Sequence, residues 1–227
     1  MDGKTASVIF ELLEKTYPHA GDNPRHTTPP FEALIVTILS AQTTDRSVDE
    51  VSGPLFARFP TPEALAGAPV AEVEEIIHRT GFYHMKARRI IDASSVLIHE
   101  YGGFVPDTMD ALLRIPGVGR KTANIVLYHA FGKTEGVAVD THVLRLSQMI
   151  GFSDRNDAGV VERDLMRFYP SGQWGRITDL LIMHGRRTCI ARRPRCPECV
   201  IRQYCRYYHQ VFLKSAGTGN TGHYNGM

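Results

Sequence analysis

Leu112-Leu113-Arg114-Ile115-Pro116-Gly117-Val118-Gly119-Arg120-Lys121-Thr122-Ala123-Asn124 is the stretch on which the fold turns. It reads as helix, hairpin, helix. Pro116 closes the first helix, Gly117 and Gly119 permit positive φ and a close backbone approach, and the second helix starts near Arg120 with its first N–H groups pointing outward. Such a hairpin can hold a phosphate through backbone donors without reading base sequence. The pattern P-G-x-G alone describes a tight turn between packed helices equally well. The next two residues shift the balance, because Arg120 and Lys121 fall in the first helical turn, where the macrodipole costs each cation about 0.3 to 1 kcal/mol. Beyond them Ala123, Val126, Leu127, Ala130 and Phe131 recur at helical offsets until Gly132 stops the run.

Working outward, the helical period persists. Val70, Val73, Ile76 and Ile77 form one core stripe, Val161, Leu165 and Phe168 a second, and Trp174, Ile177, Leu180 and Leu181 a third. Residues 31–39 are apolar nearly all round, as in a helix at the centre of a bundle. Thr61-Pro62 starts a helix and Tyr101-Gly102-Gly103 ends one. Strand-like alternation is confined to Val137-Ala138-Val139, so the expected class is all-α. No apolar run approaches the roughly 20 residues of a bilayer span, and the N-terminus lacks a basic segment leading into an apolar core. No membrane partner is expected, and the default address is intracellular.

The formal net charge is only +2 over 227 residues, but the charge is unevenly placed. Arg186, Arg187, Arg192, Arg193, Arg195, Arg202 and Arg206 share their segment with a single acid, Glu198. That concentration suits a polyanion, and the planar arginine fork suits phosphate in particular. All four cysteines lie in the same segment, as Cys189, Cys196, Cys199 and Cys205 in the pattern C-x6-C-x2-C-x5-C. Four clustered thiols without a secretory leader point to ligation rather than disulfides. A tetrahedral zinc and a [4Fe-4S] cluster both satisfy the spacing.

A carboxylate partner for the hairpin lysine is offered by Val139-Asp140-Thr141-His142-Val143. Asp140 precedes a helical run, so its ordinary role is an N-cap. Capping leaves it free to act as well: a carboxylate fixed at a helix end can stabilise positive charge on a sugar ring and relay protons. His142 reads as a packed histidine or as a polar neighbour of that site.

Together the hairpin with Lys121, the V-D-T-H with Asp140 and the cysteine run resemble the endonuclease III family, the DNA glycosylases and abasic-site lyases. Leu39-Ser40-Ala41-Gln42-Thr43-Thr44-Asp45 and Thr80-Gly81-Phe82-Tyr83 with Lys86-Ala87 extend the similarity over nearly the whole chain. The resemblance implies a six-helix barrel over 24–134 carrying the hairpin at 112–124, and an iron-sulfur domain from 1–23 plus 135–212. It also implies an active site in the cleft between them. The tail 213–227 is expected to be disordered. By the same resemblance the cysteines hold [4Fe-4S] and the loop with Arg192, Arg193 and Arg195 touches phosphates. Gly117, Val118, Gly119 and Arg120 grip the backbone, Gln42 fills the gap left by a flipped nucleotide, and Phe82 wedges beside the unpaired base.

Lys121 is then the nucleophile and Asp140 its assistant, in a monomeric base excision repair enzyme acting on double-stranded DNA in the cytoplasm, at the nucleoid. Oxidised pyrimidines are the expected lesions. An adenine-mismatch enzyme is disfavoured, since such relatives carry glutamate where Thr37 stands, lack the lysine, and have a C-terminal domain for which the 22 residues after Cys205 leave no room. A thymine- or uracil-mismatch glycosylase and a non-catalytic DNA-binding module are the alternatives. One departure from the family pattern is a slightly longer turn at 132–136.

Overall fold

The computed structural model describes residues 1–22 and 29–214. Among them no strand occurs, and the α-helices in chain order are α1 (Gly3–Thr16), α2 (Pro30–Leu39), α3 (Asp45–Arg58), α4 (Pro62–Ala66), α5 (Val70–Ile77), α6 (Tyr83–Tyr101), α7 (Met109–Leu112), α8 (Arg120–Phe131), α9 (Thr141–Ile150), α10 (Ala158–Phe168) and α11 (Trp174–Arg187). The chain divides into two compact units, Asn23–Lys133 and the discontinuous pair Met1–Asp22 with Thr134–Met227. Each has its own apolar core.

In the continuous unit the organising element is α2. Pro30 begins it without loss of a hydrogen bond, and Phe31, Ala33, Leu34, Ile35, Val36, Ile38 and Leu39 are all buried. With so little polar surface it must be enclosed, and α3, α6 and α8 pack on it. Helix α6 carries α4 and α5 on its flank. The punctuation read from sequence holds: Thr61 accepts the N–H of Ala64 at 3.3 Å to cap α4, and Gly102 and Gly132 end α6 and α8 at φ 61 and 65. Val70 departs from its expected core stripe. As the first residue of α5 it has no preceding turn to cover it and is exposed, while Val73 and Ile77 are fully buried.

In the discontinuous unit α1 packs on α10 and α11, and α9 packs on both as well. The Tyr169 hydroxyl donates to the carbonyl of Ala6 at 3.2 Å, tying the ends of the unit together. Val137, Ala138 and Val139 are buried and have no strand partner among the described residues; instead the carbonyl of Ala138 accepts from the Thr178 hydroxyl at 3.3 Å. The turn at 132–136 contains the boundary between the units. Leu213 and Lys214, placed by sequence in a disordered tail, continue a helical segment, and the rest of that tail lies outside the described residues. Among the described residues no helix is long and apolar enough to cross a membrane.

Candidate functional site

The hairpin between α7 and α8 rests on the continuous unit's core. Gly117 has φ +84, and a Cβ there would lie 3.4 Å from Ile38 of α2 and from Arg89 of α6, so the turn needs glycine for its backbone more than for space. Gly119 departs from expectation: at φ −100 and ψ 176 it is extended backbone open to any residue. What its missing side chain does is leave α8 without a side-chain cap, so nothing from the cap residue covers the first-turn N–H groups. The Val118 side chain is buried, and its N–H donates to the carbonyl of Ile115 at 3.1 Å to close the turn. Arg120 and Lys121 are exposed in the first turn, and among the described residues the Lys121 amine has no hydrogen-bond or ion-pair partner.

Two further turns lie against the same helices. Gln42 (φ 52) and Phe82 (φ 58) are the only non-glycine residues with positive φ among those described. A left-handed non-glycine residue costs of order 1 to 3 kcal/mol, and such strain gathers at functional sites. Both side chains point outward, Phe82 at 63% exposure. The two turns touch: a Cβ on Gly81 would sit 3.2 Å from the carbonyl of Gln42. Beneath them is Lys86, 3% exposed, whose ammonium donates to the carbonyl of Leu39 at 2.7 Å and to the Thr43 hydroxyl. Burial pulls its pKa down to about 8. Sequence reading saw Lys86 only as part of a motif; a lysine on the first turn of an exposed-looking helix gives no signal that it is buried.

In the other unit Asp140 caps α9, its Oδ1 accepting the N–H of Val143 at 2.8 Å. Among the described residues its second oxygen has no hydrogen-bond partner, and the residue is half-buried. His142 is half-buried against α11: a Cβ on Gly185 would lie 2.8 Å from its Nδ1, so the glycine admits the ring.

All four cysteines line one pocket, and none of them is in a disulfide. Burial, first of all, pushes every thiol up, Cys196 to about 12 and Cys199 to about 11, with Cys189 and Cys205 also raised. Four thiolates here therefore need the positive charge of a bound metal group. Side chains missed from sequence adjoin the cysteines. Arg145 donates to the Cys189 carbonyl at 2.7 Å and approaches its sulfur at 3.7 Å. His184, neutralised by burial and by Arg145 with its pKa near 4, lies between the Tyr17 hydroxyl (3.0 Å) and the Cys199 sulfur (3.6 Å).

Arg192, Arg193 and Arg195 are exposed. Arg206 belongs to the fold instead: it pairs with Asp154 and donates to the carbonyls of Gln148 and Ser153. Arg202 donates to the carbonyl of Pro197.

A family model described as HhH-GPD superfamily base excision DNA repair protein matches residues 35–171, and the iron-sulfur binding domain of endonuclease III matches residues 189–205. The endonuclease III of Synechocystis sp. is 46% identical over 200 residues, covering 88% of this chain and 91% of that protein. The chain belongs to the endonuclease III family. The fit of four thiols around one pocket agrees with membership, and the cofactor of this endonuclease III family chain is a [4Fe-4S] cluster. Among solved structures it is similar to a trapped endonuclease III–DNA covalent intermediate (TM-score 0.87, 36% identity, 93% of this chain and 99% of that one). It is also similar to a thermostable thymine-DNA glycosylase (TM-score 0.83, 25% identity, 92% of this chain and 98% of that one). The Thr37 hydroxyl, where adenine-mismatch relatives were expected to carry glutamate, donates to the Ala33 carbonyl at 2.6 Å.

Proposed function

We propose that this base excision repair enzyme, a DNA glycosylase with abasic-site lyase activity, removes oxidised pyrimidines through Lys121. The single observation that carries the reading is an exposed amine without a partner at the uncapped start of α8, in a hairpin chain of this family. The uncapped N–H groups take a phosphate of double-stranded DNA, which brings a neighbouring sugar to the amine. Gln42 and Phe82 fill the space the extruded nucleotide leaves, and Arg192, Arg193 and Arg195 add phosphate contacts away from the hairpin.

The amine of Lys121 attacks C1′ and the base departs with its bonding electrons, taking up a proton. The ring-opened adduct is an iminium between Nζ and C1′. Loss of a proton from C2′ then expels the 3′ phosphate by β-elimination, and water frees the lysine. Asp140, held by its bond to Val143, keeps one oxygen to stabilise the cationic sugar and pass protons. The four cysteines hold the cluster, which when bound fixes the loop bearing the exposed arginines. In this reading 24–134 is the DNA-gripping barrel and 1–23 with 135–212 is the cluster domain. The enzyme works as a monomer in the cytoplasm, at the nucleoid.

Borohydride added during reaction with duplex containing thymine glycol traps a covalent Lys121–DNA adduct, and Lys121→Ala abolishes it. Trapping retained by that variant overturns the assignment. The likeness to a thymine-DNA glycosylase supports a second reading, a mismatch enzyme. Comparing excision from thymine glycol with excision from a G·T mismatch separates the two.

A further inference from the structure

We propose that Lys86 is a positioning residue which locks the Gln42 and Phe82 turns together, so that both side chains reach the duplex in fixed register. This rests on the gap-filling reading of those residues given above.

Gln42 follows the end of α2, and Phe82 is the residue before α6. Phe82 offers no side-chain cap to α6, whereas Gln42 lies in a short loop closed by the Thr43 N–H to the Ser40 carbonyl at 3.3 Å and followed by Thr44, which caps α3. Each residue sits in a left-handed backbone whose cost other contacts must offset. Lys86 supplies such contacts from one amine. Its place on α6 is set by the ordinary helical bond from its backbone N–H to the carbonyl of Phe82 at 3.1 Å, one turn after Phe82. Its Nζ crosses to the other turn, to the carbonyl of Leu39 at 2.7 Å and to the hydroxyl of Thr43, residues that bracket Gln42. Thr43 in turn donates to the carbonyl of Ala41 at 3.3 Å, so the loop is braced on both sides of Gln42. Gly81 brings the backbones together, its absent Cβ being 3.2 Å from the Gln42 carbonyl.

An amine buried this deeply is costly unless every bond it makes is used. A turn-to-turn brace is such a use, and an apolar side chain would fill the same volume without directing either turn. Lys86 touches no substrate in this account; it acts through Gln42 and Phe82.

The test uses holoenzyme and a duplex carrying a tetrahydrofuran abasic analogue with 2-aminopurine opposite it, so that no chemistry intervenes. Filling of the gap changes the fluorescence. Lys86→Met and Thr43→Val are expected to lose most of that change. In single-turnover assays on thymine glycol duplex they are expected to slow excision on the order of ten- to a hundredfold. Affinity for undamaged duplex, set by phosphate contacts, stays at the wild-type value, and the double variant is no worse than Lys86→Met. A merely structural defect would lower both properties together. If Lys86→Met does not fold, Thr43→Val, which removes one hydroxyl, carries the test alone. Wild-type fluorescence change and excision rate in whichever of the two variants folds overturn the proposal. Gln42→Ala and Phe82→Ala run in parallel: if they leave fluorescence and rate unchanged, the gap-filling reading itself fails. If they lower both while the Lys86 and Thr43 variants do not, only the role of Lys86 fails.

Discussion

Two helix starts in this molecule are built in opposite ways. Helix α8 begins at Gly119, which has no side chain to offer, and places Arg120 and Lys121 against an unfavourable dipole. Helix α9 begins at Asp140, which spends one oxygen on the N–H of Val143. The difference separates two uses of a helix N-terminus. An uncapped start keeps its donors for an external anion, whereas a capped start holds the capping carboxylate still. The first gives up stability for binding; the second gains stability while fixing a charged group.

The largest effect that would break this contrast is at Lys121. Lys121→Ala should lower strand incision by about 10³-fold or more, with thermal stability unchanged or slightly higher because a cation leaves the start of α8. Incision kinetics and a melting curve on one preparation check both halves. Next, Asp140→Asn keeps a capping oxygen but removes the charge, so excision should fall on the order of 10²- to 10⁴-fold while stability moves by only a few tenths of a kcal/mol. Asp140→Ala should cost a further ~1 kcal/mol, read from denaturant midpoints. If the two variants prove equally unstable, the cap is not what Asp140 supplies.

A smaller effect sharpens the comparison from the other side. Gly119→Ser meets no atom within 4 Å and no backbone strain, so it should cap α8 and raise stability by a few tenths of a kcal/mol. Occupying those donors should weaken binding to abasic-analogue duplex severalfold and flatten its salt dependence. The smallest expected effect is a pH dependence at Lys86, whose pKa falls to about 8 by burial alone. Between about pH 8 and the ordinary lysine value the unfolded chain binds more protons, so this group makes stability rise with pH across that window. Melting temperatures of wild type and Lys86→Met, compared from pH 7 to 10, should diverge in the wild type's favour as pH rises.

What sequence reading recovered were local features. Helix α8 with its stop at Gly132, the Thr61 cap, the all-apolar α2 and the Asp140 cap all follow from side-chain chemistry within a few residues. What it missed depends on residues distant in the chain. Gly119 looked like Gly117 because composition does not reveal φ, and Arg206 counted toward the basic segment because Asp154, its partner, lies 52 residues away. His184 beside Cys199 and Lys86 beneath Thr43 needed helices to be packed before either could be seen. The left-handed backbone at Gln42 and Phe82 is the sharpest case: nothing in either residue type favours it, so it is imposed by the surrounding structure.

The discontinuity of one unit has a consequence for biosynthesis. Helix α1 emerges first, with Ala6, Ile9, Phe10 and Leu13 on the face it must bury, but the tyrosine that anchors its Ala6 carbonyl follows 163 residues later. At about 5 to 20 residues per second the ribosome takes roughly 8 to 30 s to deliver that partner. The intervening segment 23–133 has its own core and can finish first. Until α10 and α11 are made, the apolar face of α1 lacks the helices it packs on, a natural handle for a chaperone. A circular permutant beginning at residue 23, with 1–22 joined after the C-terminus, would shorten that wait.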